Sequence, residues 1–207
     1  MLNLMRKDYL FTKKIMMYTI LYCIAVPLIL LLDHDGKIYF ADLLIPLALV
    51  TAPLAKLMNA EDSKSGVIFQ KTLPYTSYEK VGGRYLFVFS LLFLGNLYLS
   101  VVKVVLFGAG SFLEAFRQSV PVFVGFAVYY VIYLTVFYWK GYFASQFCVY
   151  FLFFLVVFGK RLLTQEVMDV VTRIVSNRIL ISLVLVGILA VFYVISCSLD
   201  EQRKIDR

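Results

Sequence analysis

The sequence predicts an all-α polytopic membrane protein with six transmembrane helices, and two observations lead to this fold class. The chain of 207 residues is 62% hydrophobic and 16% charged, whereas soluble domains carry about 25% charged residues. Apolar runs recur along the chain with charged residues mainly between them. Most of these runs have roughly the 17 to 25 residues that an α-helix needs to cross a bilayer. An ordinary soluble globule is therefore excluded.

Six apolar runs define the predicted spans. In chain order they cover Ile15–Leu32, Ile38–Met58, Tyr85–Phe107, Val120–Trp139, Phe143–Phe158 and Ile179–Leu199. The fifth run is the shortest, and only residues 140–142 separate it from the fourth. Because the number of spans is even, both termini are expected on the same side of the membrane.

The distribution of basic residues predicts which side that is. Thirteen of the 20 basic residues lie in the N-terminal segment, the second connection with its flanks, the turn at Lys140 and the C-terminal tail. The positive-inside rule makes this side cytoplasmic, in a cell membrane. The net charge of +7 is thus read as orientation and contact with anionic lipid headgroups, and no nucleic-acid partner is inferred.

The loop before the last span, residues 160–178, has a helical pattern of its own. Its apolar residues from Leu163 to Ile174 fall on one arc of roughly 100°, and its polar residues fall on the opposite side. This pattern predicts an amphipathic helix at the outer membrane surface. The alternative is a solvated helix that only connects two spans.

Charged residues are missing from the centres of the spans. Asp42, Lys56 and Lys103 are the charges within the predicted spans, and each lies near an end, where a long side chain can reach the headgroups. Ion-coupled transporters place ionisable groups near the midplane, so coupling to an ion gradient is not expected. Asn96 is the main midplane polar group, and it either bonds a neighbouring helix or lines a pathway.

Residues for catalysis or metal binding are also missing. No GxxxxGK[ST] run is present for a nucleotide, and the single histidine, His34, supports neither a hydrolase triad nor a zinc site. The three cysteines lie in apolar runs without CxxC spacing. We therefore expect no enzyme activity, no metal and no cofactor in this chain. Energy for transport then has to come from a partner ATPase at the cytoplasmic face.

The second connection, residues 59–84, carries the most organised polar segment. Ser63 is placed to cap a short helix that ends before Pro74, and Thr76 with Glu79 forms a capping box that starts the helix of the third span. Such a projecting helix is either a docking element for a soluble partner or an ordinary interfacial helix. The residues by themselves leave both open.

This connection resembles the loop of type-two ABC exporter permeases, which are six-span subunits paired with separate ATPases. In that family an acidic pair is followed by a Leu-Pro segment and a Val-x-Gly-Lys-Tyr-Leu entry to the third span. The matching positions are Glu61, Asp62, Leu73, Pro74, Thr76, Glu79, Val81, Gly83, Arg84, Tyr85 and Leu86. Ser77 departs from the pattern, where a basic residue is usual. The opening run Leu4–Leu10 is also similar to the family's N-terminal segment.

The resemblance implies a single permease domain over residues 1–207. It would have an interfacial segment at 1–14, a cytoplasmic coupling helix within 59–84 and an outer helix within 160–178. The implied function is export of an amphipathic or hydrophobic cargo (a peptide, lipid or drug), driven by cytoplasmic ABC ATPase subunits that bind ATP and Mg²⁺. A second permease copy or paralogue completes the complex. The alternative, from another functional class, is a non-transporting immunity or assembly factor.

Two sets of residues are predicted to act. The ATPase-coupling residues are Glu61, Asp62, Phe69, Leu73, Pro74 and Glu79. The possible pathway residues are Asn96 and two tyrosines that share one face of the fourth span, Tyr129 and Tyr133. Those tyrosines either form an aromatic wall for the cargo or pack against lipid and other spans.

Overall fold

The computed structural model describes residues 2–32, 39–63, 65–66, 68, 75–108, 110–162 and 178–206. These ranges contain no strand. Their helices are α1 (Leu2–Leu32), α2 (Tyr39–Asp62), α3 (Ser77–Phe107), α4 (Phe112–Lys140), α5 (Tyr142–Leu162) and α6 (Arg178–Asp206). The predicted all-helical fold is thus confirmed for the described residues.

Five of these helices contain stretches that are long and apolar enough to cross a membrane. They are Asn3–Ile29, Leu44–Asp62, Ser77–Leu106, Phe112–Lys140 and Leu185–Arg203. In α5 the corresponding apolar stretch, within the residues that the structure describes, covers only Tyr142–Leu152. The helix predicted at this place is present, but the fifth span, predicted at Phe143–Phe158, stays a prediction.

The first helix is longer than its predicted span. The N-terminal segment and the first apolar run form one continuous helix, α1. Residues 2–26 contain neither glycine nor proline, so nothing in the backbone chemistry interrupts the helix where the side chains change from charged to apolar. The same helix therefore carries both the N-terminal charges and the apolar span.

The predicted connection, residues 59–84, contains the end of α2 and the start of α3 as well as the residues between them. Helix α2 continues to Asp62, and α3 begins at Ser77. At the start of α3 the predicted capping box is confirmed: Glu79 N donates to Thr76 Oγ1 (3.3 Å), and Thr76 N donates to Glu79 Oε2 (3.2 Å). Most of the short helix predicted after Ser63 lies outside the described residues, as do Phe69, Leu73, Pro74 and the outer helix at Leu163–Ile174.

Two glycines end helices in conformations that other residues rarely adopt. Gly108 follows α3 with φ of 64°, and its N–H bonds the carbonyl of Lys103. Gly141 separates α4 from α5 with φ of 92°, and its N–H donates to the carbonyl of Phe137 (2.8 Å). The left-handed backbone explains why the sharp turn between α4 and α5 needs a residue without a side chain.

The chain packs as two compact units, and the first comprises Met1–Tyr130. In this unit α1, α2 and α3 all contact one another. A core cluster of Cys23, Ile45, Leu49 and Leu99 lies among these helices. Helix α4 joins them through Tyr130, whose hydroxyl donates to the carbonyl of Leu47 (3.2 Å) and shares a hydrogen bond with Thr51 Oγ1 (2.7 Å).

The second unit comprises Val131–Arg207. Side-chain hydrogen bonds connect its helices. Gln146 Nε2 on α5 donates to the hydroxyl of Tyr133 on α4 (3.0 Å), and Thr135 Oγ1 shares a hydrogen bond with Ser196 Oγ on α6 (3.0 Å). Polar side chains between apolar helices thus have partners within the protein, as burial away from water requires.

Candidate functional site

A cluster of three charged side chains, two of them buried and one half-buried, lies at one end of the first unit. Asp8 comes from the start of α1, Glu61 from the end of α2 and Arg84 from the start of α3. The Arg84 guanidinium forms an ion pair with each carboxylate: Nη1 is 3.5 Å from Asp8 Oδ2, and Nη2 donates to Glu61 Oε1. The cluster therefore links all three helices at the end that carries the connection between α2 and α3. We call these three residues the charged cluster.

The charged cluster is shielded from solvent. The side chains of Arg84, Asp8 and Glu61 are 3%, 4% and 14% exposed. With both carboxylates ionised the cluster has one negative charge more than positive. Among the described residues, Asp8 Oδ1 and Glu61 Oε2 are buried and accept no hydrogen bond. Buried charges are costly unless they are paired, so the guanidinium is the group on which the whole arrangement depends.

Residues next to the charged cluster in α1 and α3 fix the position of its side chains. Gly82 and Gly83 precede Arg84 and are buried, and because they have no side chains the start of α3 can lie close to its neighbours. One turn after Asp8, Thr12 Oγ1 donates to the Asp8 carbonyl (2.7 Å). Tyr9 makes a second contact between α1 and α3, since its ring packs edge-on against the ring of Phe87 with 5.0 Å between the ring centres.

A tight turn follows α2 directly after Glu61 and Asp62. Ser63 N donates to the carbonyl of Asn59 (3.2 Å), and Ser63 Oγ donates to the carbonyl of Ala60 (2.7 Å). The same hydroxyl accepts from Gly66 N (3.1 Å). Gly66 is packed against the backbone of Ala60, where a Cβ atom would collide with the carbonyl oxygen. The turn is therefore fixed by a helix end, one hydroxyl and one residue without a side chain.

The predicted coupling residues divide into three groups. Glu61 pairs with Arg84 in the charged cluster, and Asp62 is the last residue of α2; both residues are half-buried. Glu79 is half-buried, and its carboxylate accepts from both Thr76 N and Thr76 Oγ1 at 3.2 Å. Glu79 thus serves the cap of α3. Phe69, Leu73 and Pro74 lie outside the described part of the chain.

The predicted pathway residues do not lie together in one unit. Asn96 is 4% exposed in the first unit and lines a small cavity there with Ser119 of α4. Tyr129, also in the first unit, packs edge-on against Tyr130 at 5.0 Å. Tyr133 is 1% exposed in the second unit and accepts the hydrogen bond from Gln146. A role of these residues in a pathway stays a prediction.

Lys103 differs from its expected position. Its place near the end of the third span suggested that the side chain reaches the headgroups. Instead it is 6% exposed, and Nζ donates to Ser119 Oγ on α4 (3.3 Å). Lys56, by contrast, is half-buried, and its Nζ donates to the carbonyl of Phe11 (3.2 Å) and lies 5.0 Å from the centre of that ring.

Sequence reasoning missed the charged cluster although its members were visible. By sequence alone, Arg84 and Asp8 fall in segments that flank the spans, and Glu61 falls in the connection predicted to bind a partner. The available signal was depth: all three residues lie at span ends on the same predicted side of the membrane. Opposite charges at equal depth on neighbouring spans are candidates for pairing with one another.

A comparison with known protein families agrees with the layout of the chain. A family model described as ABC-2 family transporter protein matches residues 3–199. No curated protein and no solved structure matches the chain. The matched range includes all three residues of the charged cluster and both ends of the connection between α2 and α3.

Proposed function

The chain belongs to the ABC-2 family of transporter proteins, and from this premise we propose that it is the permease subunit of an ATP-driven exporter for an amphipathic or hydrophobic cargo. The observation that carries the proposal is the family match over residues 3–199. The helices support it, because five of them are long and apolar enough to form a multi-pass membrane domain. ATP and Mg²⁺ belong to the partner ATPase that such a transporter requires.

The connection between α2 and α3 is the proposed contact for that ATPase. It begins with Asp62 and the tight turn at Ser63–Gly66, and it ends at the capping box of α3. Two ordered helix ends therefore hold it, so a force applied to the connection moves α2 and α3 directly. The basic residues on this side make it cytoplasmic, with both termini.

The charged cluster extends this coupling to α1. Because Arg84 bonds Glu61 and lies 3.5 Å from Asp8, α1 follows any movement that keeps the ion pairs intact. Coupling between sites requires rigid elements that have two arrangements, with the ATPase contacting each arrangement differently. In our proposal the ATPase acts on the connection, the charged cluster transmits the motion to three helices, and a path between two permease copies opens and closes.

The structure sharpens the choice of variants for testing the ATPase contact. Reversing the charge of Glu61 would place a cation beside Arg84 and disturb the fold, so Asp62, which does not belong to the charged cluster, is the better target. We expect Asp62→Lys combined with Phe69→Ala to reduce co-purification of the ATPase and cargo export, while the amount of protein in the membrane stays the same. The measurement is the ratio of ATPase to permease after affinity purification.

A matched control makes the same chemical changes elsewhere. Glu201 and Phe143 are exposed in the second unit, and both lie on the predicted cytoplasmic side. Glu201→Lys with Phe143→Ala should leave the ratio unchanged. If the Asp62 and Phe69 variant retains wild-type ATPase binding and export, the connection is not the ATPase contact.

A further inference from the structure

A cleft of about 390 Å³ opens beside the charged cluster, between the start of α1 and the end of α2. Its walls include Lys7 and Phe11 of α1, Leu57 and Glu61 of α2, and Ser63 and Ser65 of the following turn. The volume falls within the range of about 300 to 1,000 Å³ that small-molecule sites occupy. Ser63 and Ser65 also belong to the turn at which the proposed ATPase contact begins, whereas none of the predicted pathway residues lines this cleft.

The lining of the cleft is graded along the direction of the helices. Lys7 and Glu61 lie toward the ends of their helices, and Phe11 and Leu57 each lie four residues further into the spans. Four residues of α-helix correspond to about 6 Å. The cleft thus has charged groups and hydroxyls at its mouth and apolar side chains toward the membrane interior, which is the polarity gradient of a lipid at the bilayer surface.

The charges at the mouth have opposite signs and lie on different walls. Lys7 is exposed and supplies an ammonium group. Glu61 supplies a carboxylate whose Oε1 accepts from Arg84, while Oε2 accepts no hydrogen bond from the described residues. A buried acceptor without a donor is unfavourable, so the Glu61 carboxylate has the capacity to accept one further hydrogen bond. Ser65 adds an exposed hydroxyl, 3.3 Å from Ser63 Oγ.

We propose that this cleft binds the headgroup of a phospholipid of the cytoplasmic leaflet that carries a primary amine, such as phosphatidylethanolamine. The phosphate lies at Lys7 and the Ser65 hydroxyl, and the ammonium group donates toward Glu61. The acyl chains run along Phe11 and Leu57 into the bilayer. Both signs of charge in one cleft favour a zwitterionic headgroup over a purely anionic one, and the apolar walls favour a lipid over a soluble phosphate ester.

The test is lipid retention by the purified permease, measured by native mass spectrometry after release from nanodiscs. The nanodiscs contain equal amounts of phosphatidylethanolamine, phosphatidylcholine and phosphatidylglycerol. We expect preferential retention of phosphatidylethanolamine, because the quaternary amine of phosphatidylcholine has no proton to donate and phosphatidylglycerol has no amine. Lys7→Gln should lower that retention about fivefold, which is the loss expected for one hydrogen bond between Lys7 and the phosphate.

Lys13→Gln is the matched control, because Lys13 is an exposed lysine of the same helix that does not line the cleft. Its lipid retention should equal that of the wild type. Since Lys7 and Lys13 are both exposed, neither variant is expected to alter folding, and equal thermal unfolding of the two proteins verifies this.

Three outcomes would overturn the proposal. Equal retention of the three lipids would show that the cleft does not select a headgroup. Unchanged retention in Lys7→Gln would show that the headgroup does not bind at Lys7. Displacement of bound lipid by soluble glycerophosphoethanolamine as readily as by a short-chain phosphatidylethanolamine would assign the cleft to a free headgroup compound. The assay contains no ATPase, so its result is independent of the proposed exporter function.

Discussion

Replacement of Arg84 by methionine should destabilise the first unit more than any other single change at the charged cluster. At the observed 3.5 Å between Arg84 Nη1 and Asp8 Oδ2, the attraction of two unit charges is about 5 kcal/mol for an effective dielectric constant of ~20. Desolvation of the buried groups offsets part of this attraction. Removal of one partner from a buried pair nevertheless costs about 3 to 5 kcal/mol, because the remaining charge stays buried without compensation.

Cys23 provides a local probe for this effect. It is 4% exposed within the core cluster of the first unit, so a thiol reagent reaches it only when that unit opens. With Cys148 and Cys197 replaced by alanine, the labelling rate of Cys23 in detergent micelles reports the opening free energy. Arg84→Met should raise that rate by at least a hundredfold, the equivalent of about 3 kcal/mol. Labelling at the wild-type rate would show that the cluster does not hold the helices together.

A triple variant separates stability from coupling. Replacement of a complete buried ion cluster by apolar residues is often neutral or stabilising. Asp8→Leu, Glu61→Leu and Arg84→Met together should therefore label at Cys23 as slowly as the wild type. If the ion pairs transmit movement to α1, the same variant should hydrolyse ATP with its partner but export less cargo for each ATP. Normal export by the triple variant would refute the transmission role while leaving the stability argument intact.

Three further predictions concern the connection and the energy source. Thr76→Ala should lower the stability of the start of α3 by about 1 kcal/mol because the cap is lost, and amide hydrogen exchange at residues 77–80 should become faster. Ser111→Ala, at the similar Ser111–Glu114 cap of α4, should leave the exchange at residues 77–80 unchanged. Gly66→Ala should weaken ATPase binding because its Cβ would collide with the Ala60 carbonyl, whereas Gly125→Ala, with no atom within 4 Å of the added Cβ, should not. Export into vesicles should continue with ATP and an ionophore, and export driven by a proton gradient alone would contradict the proposed energy source.

The elements that the sequence predicted best depend on local chemistry. The capping box at Thr76 and Glu79 was predictable because its two partners are three residues apart, and their hydrogen bonds form in any helix that starts there. The five long apolar helices were predictable because length and apolarity can be counted directly along the sequence. Helix boundaries were less predictable, since α1 and α2 continue beyond their apolar runs. Apolarity marks where a helix is in the membrane, whereas helix formation itself continues into polar sequence.

The charged cluster could not be predicted in the same way, because it depends on which side chains face one another across helices. Composition assigned Arg84 to the positive charge near the cytoplasmic surface, but the side chain is 3% exposed and faces two carboxylates. Lys103 was misjudged for the same reason, since its rank along the span did not reveal the hydroxyl of Ser119 opposite it. Position along a helix gives the depth of a charge, and only packing gives its partner.

The charged cluster holds three helices together with ion pairs, although apolar residues would hold them equally well. This use of charged residues is an argument that the cluster transmits movement between the helices. Apolar contacts are nearly indifferent to an added charge nearby, whereas an ion cluster with two carboxylates and one guanidinium responds to every cation or donor that approaches it. Glu61 is the residue through which this response would pass. Its Oε1 bonds Arg84 inside the bundle, its side chain lines the proposed headgroup cleft, and it immediately precedes Asp62 at the start of the proposed ATPase contact. Lipid binding in the cleft or ATPase binding at the connection therefore changes the electrostatic balance at Arg84. Through Arg84, either binding event also changes how α1 is attached to α2 and α3.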